Sequence, residues 1–368
     1  MEDATSSASE TDRRYMSAAI RLSRNHVGLT NAQASVGALI VRDGVIVGRG
    51  VTARGGRPHG VNIALGEAGE LAKGATAYVT LEPGIGEGRV TPPAKALIDA
   101  GIVRVVCALK HPDERLAGRG YDALREAGVE VVEDVQLQQA ADVLAGYLNR
   151  IARGRPEVTV KFALSADGMI GRLGAGQIAI YSGIARDQSH LLRAASDAIL
   201  AGVGTVANDD PELTSRLEGL TDRSPTRVVL DPTARLPIRS KLALSSRSLR
   251  LLVACSPYAD KVRRSSLEMV GAKLMPVELV DGRIALPELL EDLAARGIST
   301  LLVEGGATTA QAFFDEGLVD RILLFQGTAH IGEDGVKAPI DPQSMPEGFR
   351  LARQARYGVD QFQEWVRL

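Results

Sequence analysis

The stretch that decides the fold runs from residue 75 to residue 109 and reads ATAYVTLEPGIGEGRVTPPAKALIDAGIVRVVCAL. The apolar run at residues 75–81 predicts a strand, residues 92–100 predict a helix, and residues 103–109 predict a second strand. Two strands joined through a helix lie parallel in one sheet, because a parallel pair needs a long crossover connection. The stretch therefore predicts an α/β protein with a largely parallel sheet.

The flanking sequence extends this pattern. Upstream, apolar runs at residues 38–41 and 45–47 flank Arg42-Asp43-Gly44. This predicts a hairpin, because Asp-Gly accepts the positive φ angles of a tight turn. Downstream, the pattern predicts a helix at residues 121–127, a strand at 130–132 and a helix at 137–150.

A break at Arg153-Gly154-Arg155-Pro156 predicts a domain boundary, since glycine and proline together end the preceding helix. After this break, predicted strands and helices again alternate along the chain. Further strands are predicted at residues 158–163, 198–201, 227–230, 251–254, 300–303 and 321–325, and helices at residues 185–195, 287–295 and 308–316. We predict a frayed, disordered tail at residues 1–11 and two α/β domains, at residues 12–152 and 156–368.

The composition is that of a soluble globular protein. Of the 368 residues, 45% are hydrophobic and 24% are charged, which is too apolar for a disordered chain. A net charge of −2 gives no basic excess for binding nucleic acid. No apolar stretch reaches the roughly 18 residues of a membrane span, and the N-terminus lacks the features of a secretory signal. We therefore expect no membrane partner and a cytoplasmic location.

The first domain carries a specific set of motifs. They are VGALIVRDGVIVGRG (residues 36–50), GATAYVTLEP (74–83), TPP (91–93) and AGIVRVVCAL (100–109). Together they resemble the pyrimidine deaminase domain of bifunctional riboflavin-biosynthesis deaminase/reductases. The resemblance implies a cytidine-deaminase-like domain of three layers.

The residues that hold zinc in such a domain are replaced here. These deaminases bind zinc through one His and two Cys, and a neighbouring Glu carries protons for the zinc-bound water. His59 stands at the His position, but Val61 stands where the family has Glu, and Gly84 and Ala94 stand at the two Cys positions. One imidazole does not make a tetrahedral zinc site. We expect no metal in this domain and no deaminase activity.

The two cysteines of the chain do not replace the missing zinc ligands. Cys107 and Cys255 each lie in an apolar run, where a buried thiol packs as a small hydrophobic group. The segment Ala32-Gln33-Ala34 also differs from the Pro-Asn-Pro of the family's substrate loop. We favour a scaffold or dimerisation role for the domain, and binding of a pyrimidine without chemistry is the alternative.

From Val160 onward the chain resembles the reductase domain of the same family. The resemblance rests on VKFALSADGMIG (residues 160–171), GTVANDDPELTSR (204–216) and Glu304-Gly305-Gly306. It implies a dihydrofolate-reductase-like fold and the NADPH-dependent reduction of the ribose of 5-amino-6-(5-phosphoribosylamino)uracil. The expected partner is thus a small phosphoribosyl pyrimidine, and the family implies a homo-oligomer, either a dimer or a tetramer.

The resemblance implies that Lys161 and Asp209 are the catalytic residues. Hydride arrival at C1′ of the ribose requires a proton, which a positioned acid or ammonium can supply. Lys161 lies in an otherwise apolar strand, where an ammonium is unfavourable unless it has a partner. An edge-strand lysine that reaches solvent is the alternative. Asp210, beside Asp209, is as readily interpreted as a residue that caps the turn.

The resemblance assigns the other site residues to two ligands. The end of a strand at Val303, followed by two glycines and a new helix, suits a pyrophosphate. The cofactor-binding residues are Ala163, Ala179, Thr205, Asp209, Gly306, Ala307, Thr308, Thr309, Ala310, Gln311 and Ala312. The substrate-binding residues are Gln177, Arg193, Leu213, Arg216 and Glu304. Arg193 and Arg216 are expected at the phosphate, although Arg193 alone would suit a solvated helix face.

The family pattern Gly-x-Ser-x-Trp-Ile is altered after Gly176. We expect Gln177 in place of the serine and Ala179 in place of the tryptophan that lines the cofactor. This departure leaves two alternatives open, a reductase of another phosphoribosyl or pterin-like compound and a non-catalytic nucleotide-binding regulator. The retained Lys161 and Asp209 argue against the regulator, because a protein that only binds has no need of proton-handling residues.

Overall fold

A computed structural model describes residues 8–86 and 91–368. The chain divides into two compact units, Met1–Gly154 and Arg155–Leu368. The boundary follows the last helix of the first unit, where Gly154 takes a positive φ angle and ends the helix. In the described ranges, none of the helices combines the length and the apolar character needed to cross a bilayer.

The first domain is a sheet with helices on both faces. Its strands are β1 (Gly37–Arg42), β2 (Val45–Val51), β3 (Thr76–Val79), β4 (Arg104–Cys107) and β5 (Glu130–Val132). Its helices are α1 (Glu10–Ser23), α2 (Gly60–Ala68), α3 (Pro93–Asp99), α4 (Arg119–Glu126) and α5 (Leu137–Arg153). The strand order over the described residues is β2-β1-β3-β4-β5, with β1 antiparallel to both neighbours and the other pairs parallel.

The alternation of side chains along β1 explains the two cores of this domain. Leu39 and Val41 pack into one core with α1 and α5, whereas Ala38 and Ile40 pack into the other with α2, α3 and α4. The predicted hairpin joins β1 to β2, and its turn residues Asp43 and Gly44 have φ angles of +50° and +76°.

The first helix begins earlier than the sequence predicts. We expected a tail over residues 1–11, but α1 starts at Glu10. The Ser9 hydroxyl accepts a hydrogen bond from the Asp12 N–H (3.1 Å), and the Asp12 carboxylate accepts one from the Ser9 N–H (2.9 Å). This reciprocal pair satisfies two free donors at the helix end and fixes the start of the domain. The rest of the predicted tail, residues 1–7, lies outside the described residues.

The second domain, all of whose residues are described, is built on one large sheet. Its strands are β6 (Glu157–Leu164), β7 (Met169–Arg172), β8 (Ala198–Gly202), β9 (Thr226–Leu230), β10 (Leu251–Cys255), β11 (Lys273–Pro276), β12 (Leu279–Val280), β13 (Arg283–Ile284), β14 (Thr300–Val303), β15 (Arg321–Gln326), β16 (Gly335–Lys337), β17 (Phe349–Tyr357) and β18 (Asp360–Arg367). Its helices are α6 (Gly183–Ala194), α7 (Val203–Asp209), α8 (Lys241–Leu244), α9 (Lys261–Val270), α10 (Leu286–Ala295) and α11 (Ala307–Asp315). The sheet order is β11-β10-β9-β8-β14-β6-β15-β18-β17, parallel as far as β15 and antiparallel beyond it.

Strand β6 lies in the middle of this sheet, between β14 and β15. Val158, Val160 and Phe162 face the main apolar core, so Lys161 points to the opposite face. The edge-strand alternative for Lys161 is therefore excluded. The carboxyl ends of β6, β8 and β14 meet at one edge of the sheet, where open α/β sheets place their ligands.

Candidate active site

A cleft of about 1270 Å³ opens in the second domain at the carboxyl ends of the central strands. Most of the site residues expected from the sequence line it. They are Lys161, Ala163, Gln177, Ala179, Arg193, Thr205, Asp209, Arg216, Glu304, Gly306, Ala307, Thr308, Thr309, Gln311 and Ala312. Segments far apart in the sequence thus converge on one cleft.

Two expected site residues do not line the cleft. Ala310 is fully buried in the main core, because it lies on the face of α11 that packs against the sheet. Leu213 is 2% exposed and packs into a second core, with a positive φ angle of 53°. Neither side chain reaches the cleft, so the expectation that the Ala310 and Leu213 side chains contact a ligand does not hold.

Three charged side chains meet at the inner wall of the cleft. The Glu304 carboxylate accepts two hydrogen bonds from Arg193, at 2.9 Å from Nε and 2.8 Å from Nη2. The Lys161 Nζ lies 3.5 Å from the same carboxylate. The three side chains are only 6–11% exposed. Arg193 is thus not on a solvated helix face, and Glu304 together with the Thr214 carbonyl oxygen engages three of its five donors.

Burial and charge pairing oppose each other in this cluster. Burial favours a raised pKa for Glu304, but Arg193 and Lys161 outweigh it and hold the pKa at about 2. Burial disfavours the ammonium of Lys161, but Glu304 and Tyr181 outweigh that effect, so the pKa of Lys161 is raised above its ordinary value. Both groups are therefore charged at neutral pH, and Lys161 carries a proton that it can donate.

The Lys161 ammonium also contacts a hydroxyl that the sequence analysis missed. Its Nζ donates to the Tyr181 hydroxyl at 2.9 Å, and that hydroxyl lies 3.0 Å from Ser189 Oγ. Gln177 and Ala179, expected at the serine and tryptophan positions of the family pattern, also line the cleft.

One face of α6 contributes three further lining residues that the sequence analysis did not name, beside Arg193, which it did name. Arg186, Ser189, His190 and Arg193 follow the helical spacing i, i+3, i+4 and i+7 and all line the cleft. The His190 Nδ1 lies 3.2 Å from the Thr214 carbonyl oxygen. Burial and then Arg193 and Arg216 lower the pKa of His190. The polar spacing of this helix was a usable signal for a cleft-lining face.

The loop after α7 separates its two aspartates. Asp209 lines the cleft and accepts a hydrogen bond from the side chain of Asn208. Asp210 has a φ angle of +41° and accepts the Lys241 N–H at 2.8 Å, so it caps the turn. Arg216 is paired with Glu212 at 2.8 Å in a half-exposed ion pair near the cleft.

The amino end of α11 fits the pyrophosphate of a dinucleotide. The Gly306 N–H donates to the Thr205 hydroxyl at 2.9 Å, which ties this helix end to α7. A Cβ on Gly306 would lie 3.2 Å from that hydroxyl, so glycine keeps the approach close. Ala307, Thr308 and Thr309 line the cleft, and in this fully described domain no side chain caps their helix end. Their N–H groups and the helix dipole favour an anion.

In the first domain, the positions expected to bind zinc lie at the amino ends of α2 and α3. His59 precedes α2, and Val61 in its first turn is 2% exposed. Ala94, on α3, is fully buried, and its N–H donates to the Gly84 carbonyl at 3.1 Å. Of these four positions only His59 carries a side chain that could ligate a metal.

These residues do not fit zinc. Within residues 8–86 and 91–368, no three or more His, Cys, Asp or Glu side chains are grouped so that they could hold a metal ion. Cys107 is no substitute, because its thiol is fully buried on β4 and bonded to the Leu109 carbonyl at 3.4 Å. Burial raises the pKa of this thiol to about 12, so the thiolate that a metal requires does not form at neutral pH.

Comparison with known proteins covers both domains. The model of the RibD C-terminal domain matches residues 156–361, and that of the cytidine and deoxycytidylate deaminase zinc-binding region matches residues 9–109. Riboflavin biosynthesis protein RibD of Aquifex aeolicus is 35% identical over 345 residues, which cover 94% of this chain and 95% of that protein. The Escherichia coli protein of the same name is 35% identical over 334 residues, 88% of this chain and 89% of its own.

Solved structures of similar proteins point to the same family. RibD of Acinetobacter baumannii is 31% identical, with a TM-score of 0.84 over 98% of this chain and 99% of that one. A diaminohydroxyphosphoribosylaminopyrimidine deaminase/5-amino-6-(5-phosphoribosylamino)uracil reductase from Thermotoga maritima is 27% identical, with a TM-score of 0.84 over 97% and 99% of the two chains. The chain therefore belongs to the RibD family of riboflavin-biosynthesis enzymes, with a cytidine-deaminase-like domain followed by a reductase domain.

Proposed function

We propose that the second domain reduces the ribose of 5-amino-6-(5-phosphoribosylamino)uracil to a ribityl chain with NADPH, and that the first domain does not deaminate. The observation that carries the reductase proposal is the buried cluster of Lys161, Glu304 and Arg193 in the wall of the cleft. A cleft of about 1270 Å³ exceeds the usual volume of a single small-ligand pocket, in agreement with a cofactor and a substrate bound together.

NADPH supplies a hydride when it is bound. The residues that would hold it are Thr205, Gly306 and the first turn of α11 at residues 307–309, with Ala163 and Asp209 towards the reacting end. The amino end of α11 would bind the pyrophosphate through its N–H groups. The preference for NADPH is proposed from the family resemblance.

The substrate would be handled by the charged groups of the cleft. Lys161 would donate a proton to the open-chain form of the ribose as C1′ is reduced. Glu304 keeps that ammonium charged, and Arg193 holds Glu304 in place through two parallel hydrogen bonds. The more exposed Arg186 and Arg216 would bind the phosphate.

The proposal that the first domain is inactive rests on its residues. Val61 cannot carry a proton, and Gly84 and Ala94 have no metal ligand atom. A separate hydrolytic deaminase would then have to supply the substrate. We propose that the domain serves as a scaffold or a dimerisation unit of a cytoplasmic homo-oligomer, which sedimentation of the full chain against the isolated second domain would test.

Two experiments test the proposed function. NADPH oxidation by the purified full chain, with 5-amino-6-(5-phosphoribosylamino)uracil as substrate, should be rapid. Turnover only with another phosphoribosyl or pterin-like compound would establish that alternative, and NADPH binding without any turnover would favour a regulator.

In bacterial strains that lack one step each, the gene should rescue loss of the reductase and not loss of the deaminase. Rescue of the deaminase strain would refute the inactivity of the first domain.

A further inference from the structure

We propose that Tyr181 is a positioning residue of the reduction, whose hydroxyl aims the Lys161 ammonium at the substrate and, together with Ser189, returns a proton to Lys161. The inference rests on the proposed reductase function. It concerns a hydroxyl that lies outside the family motifs described above.

The geometry of three consecutive groups carries the proposal. Lys161 Nζ lies 2.9 Å from the Tyr181 hydroxyl, which lies 3.0 Å from Ser189 Oγ. All three residues line the cleft, and Lys161 and Ser189 are 7% and 2% exposed. An ammonium has three N–H donors. Tyr181 and Glu304 engage two of them, so the third remains for a ligand in the cleft.

The surroundings hold the tyrosine ring in place independently of its hydroxyl. The ring packs against Phe325 of β15, with 5.8 Å between centroids. Lys161 Nζ lies 5.1 Å from the Tyr181 centroid and 5.9 Å from that of Phe325. These aromatic contacts survive when the hydroxyl alone is removed, so Tyr181→Phe isolates the hydrogen bond.

The groups that face the ammonium set the direction of its titration. Burial disfavours its charged form, while Glu304 after β14 and Tyr181 before α6 favour it and Arg193 of α6 opposes it. Loss of the Tyr181 hydroxyl removes one of the two favourable contributions. The pKa of Lys161 should therefore fall in Tyr181→Phe.

Each side chain of the relay regains its starting protonation state over one turnover. With a hydride donor bound, one Lys161 N–H bond would break as C1′ is reduced, and its proton would bond to the nitrogen of the open-chain imine. The Tyr181 proton would then move to Lys161 Nζ and the Ser189 proton to the Tyr181 oxygen, and one proton taken up from the solvent would restore Ser189. One hydride and one proton reduce the C=N bond, and the side chains return to their starting states.

The test compares Tyr181→Phe with Tyr357→Phe in the full chain. Tyr357 packs against the same Phe325 ring at 6.1 Å, but it does not line the cleft and its hydroxyl is bonded to Arg353. Tyr181→Phe should lower kcat about 10- to 100-fold, below the full effect of a general acid, with KM and NADPH affinity nearly unchanged. The alkaline limb of the kcat profile should move to lower pH. Tyr357→Phe should behave as wild type.

A second readout does not depend on turnover. NMR titration of isotope-labelled lysine in the free protein should show a lower pKa for Lys161 in Tyr181→Phe than in wild type. Wild-type kcat, pH profile and Lys161 titration in Tyr181→Phe would overturn the proposal. If that variant does not fold, Ser189→Ala replaces it and should lower kcat in the same direction, and an unchanged kcat would overturn the relay. If the wild-type chain reduces no candidate substrate, the proposed function fails, and the titration still decides whether Tyr181 controls Lys161.

Discussion

Replacing Glu304 with glutamine removes the only negative charge in the Lys161–Glu304–Arg193 cluster of this fully described domain. The substitution keeps the size and shape of the side chain. Lys161 and Arg193 are then left side by side without a counter-ion, at positions where their side chains are 6% and 11% exposed. We expect a large loss of stability, because an unpaired buried charge is strongly unfavourable.

The size of the expected loss of stability follows from the lowered pKa of the Glu304 carboxylate. The pKa of Glu304 falls from 4.5 to about 2, and at about 1.4 kcal/mol per unit this favours the folded state by about 3 kcal/mol. Loss of one partner of a buried ion pair typically destabilises by about 3–5 kcal/mol, which agrees. Because the folded-state pKa is depressed, this contribution is complete above pH 4.5 and disappears as the pH falls towards 2.

Guanidinium unfolding at neutral pH measures this difference. The chain has one tryptophan, Trp365 on β18, so tryptophan fluorescence follows the second domain. Glu212→Gln is the matched control, since its ion pair with Arg216 is 2.8 Å long but almost half exposed, and its loss should change stability by less than about 1 kcal/mol. A loss in Glu304→Gln as small as in the control would refute the reasoning about the buried cluster.

Three further predictions concern the other sites. The purified protein should contain no stoichiometric zinc, and elemental analysis that finds about one zinc per chain would contradict this. Arg216→Lys should raise KM for the substrate by the equivalent of about 1–3 kcal/mol at unchanged NADPH affinity, because lysine lacks the planar fork that binds a phosphate, whereas Asp209→Asn should mainly lower kcat. Steady-state kinetics separates the two, and a weakened NADPH affinity in Arg216→Lys would show that Arg216 contacts the cofactor. Cys107 should resist thiol reagents in the native protein, since burial raises its pKa to about 12, and rapid labelling without denaturant would contradict its burial.

The sequence predicted the fold wherever a continuous apolar run marks a buried strand. Residues 300–303 were predicted as a strand and form β14 with the same bounds. The final pair, β17 and β18, was not predicted, because β17 is an exposed edge strand in which arginines and a glutamine interrupt the apolar residues. Helix α2 was also missed, since its glycines and the absence of a charged face hide the helical period.

The sequence located the charged residues of the cleft but not their partners. Lys161 and Glu304 were named from motifs, yet their pairing depends on how β6 and β14 lie next to each other in the sheet. Nothing local to α6 shows that Arg193 pairs with Glu304. Tyr181 was missed because it lies outside the motifs, and only the folded chain brings its hydroxyl to Lys161. Pairings of this kind come from tertiary structure, which spacing along one element does not report.

The first domain contains a buried carboxylate, Glu82, whose structural role does not depend on a metal. Glu82 lies two residues before Gly84, which stands at an expected zinc-ligand position. Its buried carboxylate accepts the backbone N–H groups of His111, Gly118 and Gly120 at 2.8–3.0 Å, which fixes the loop between β4 and α4. Loss of Glu82 would leave three donors unpaired, so its role does not depend on zinc. The chain thus has at residue 82 the carboxylate that organises the backbone, and at residue 84 a glycine where a metal ligand is expected. This difference supports the proposal that the domain is retained for its fold.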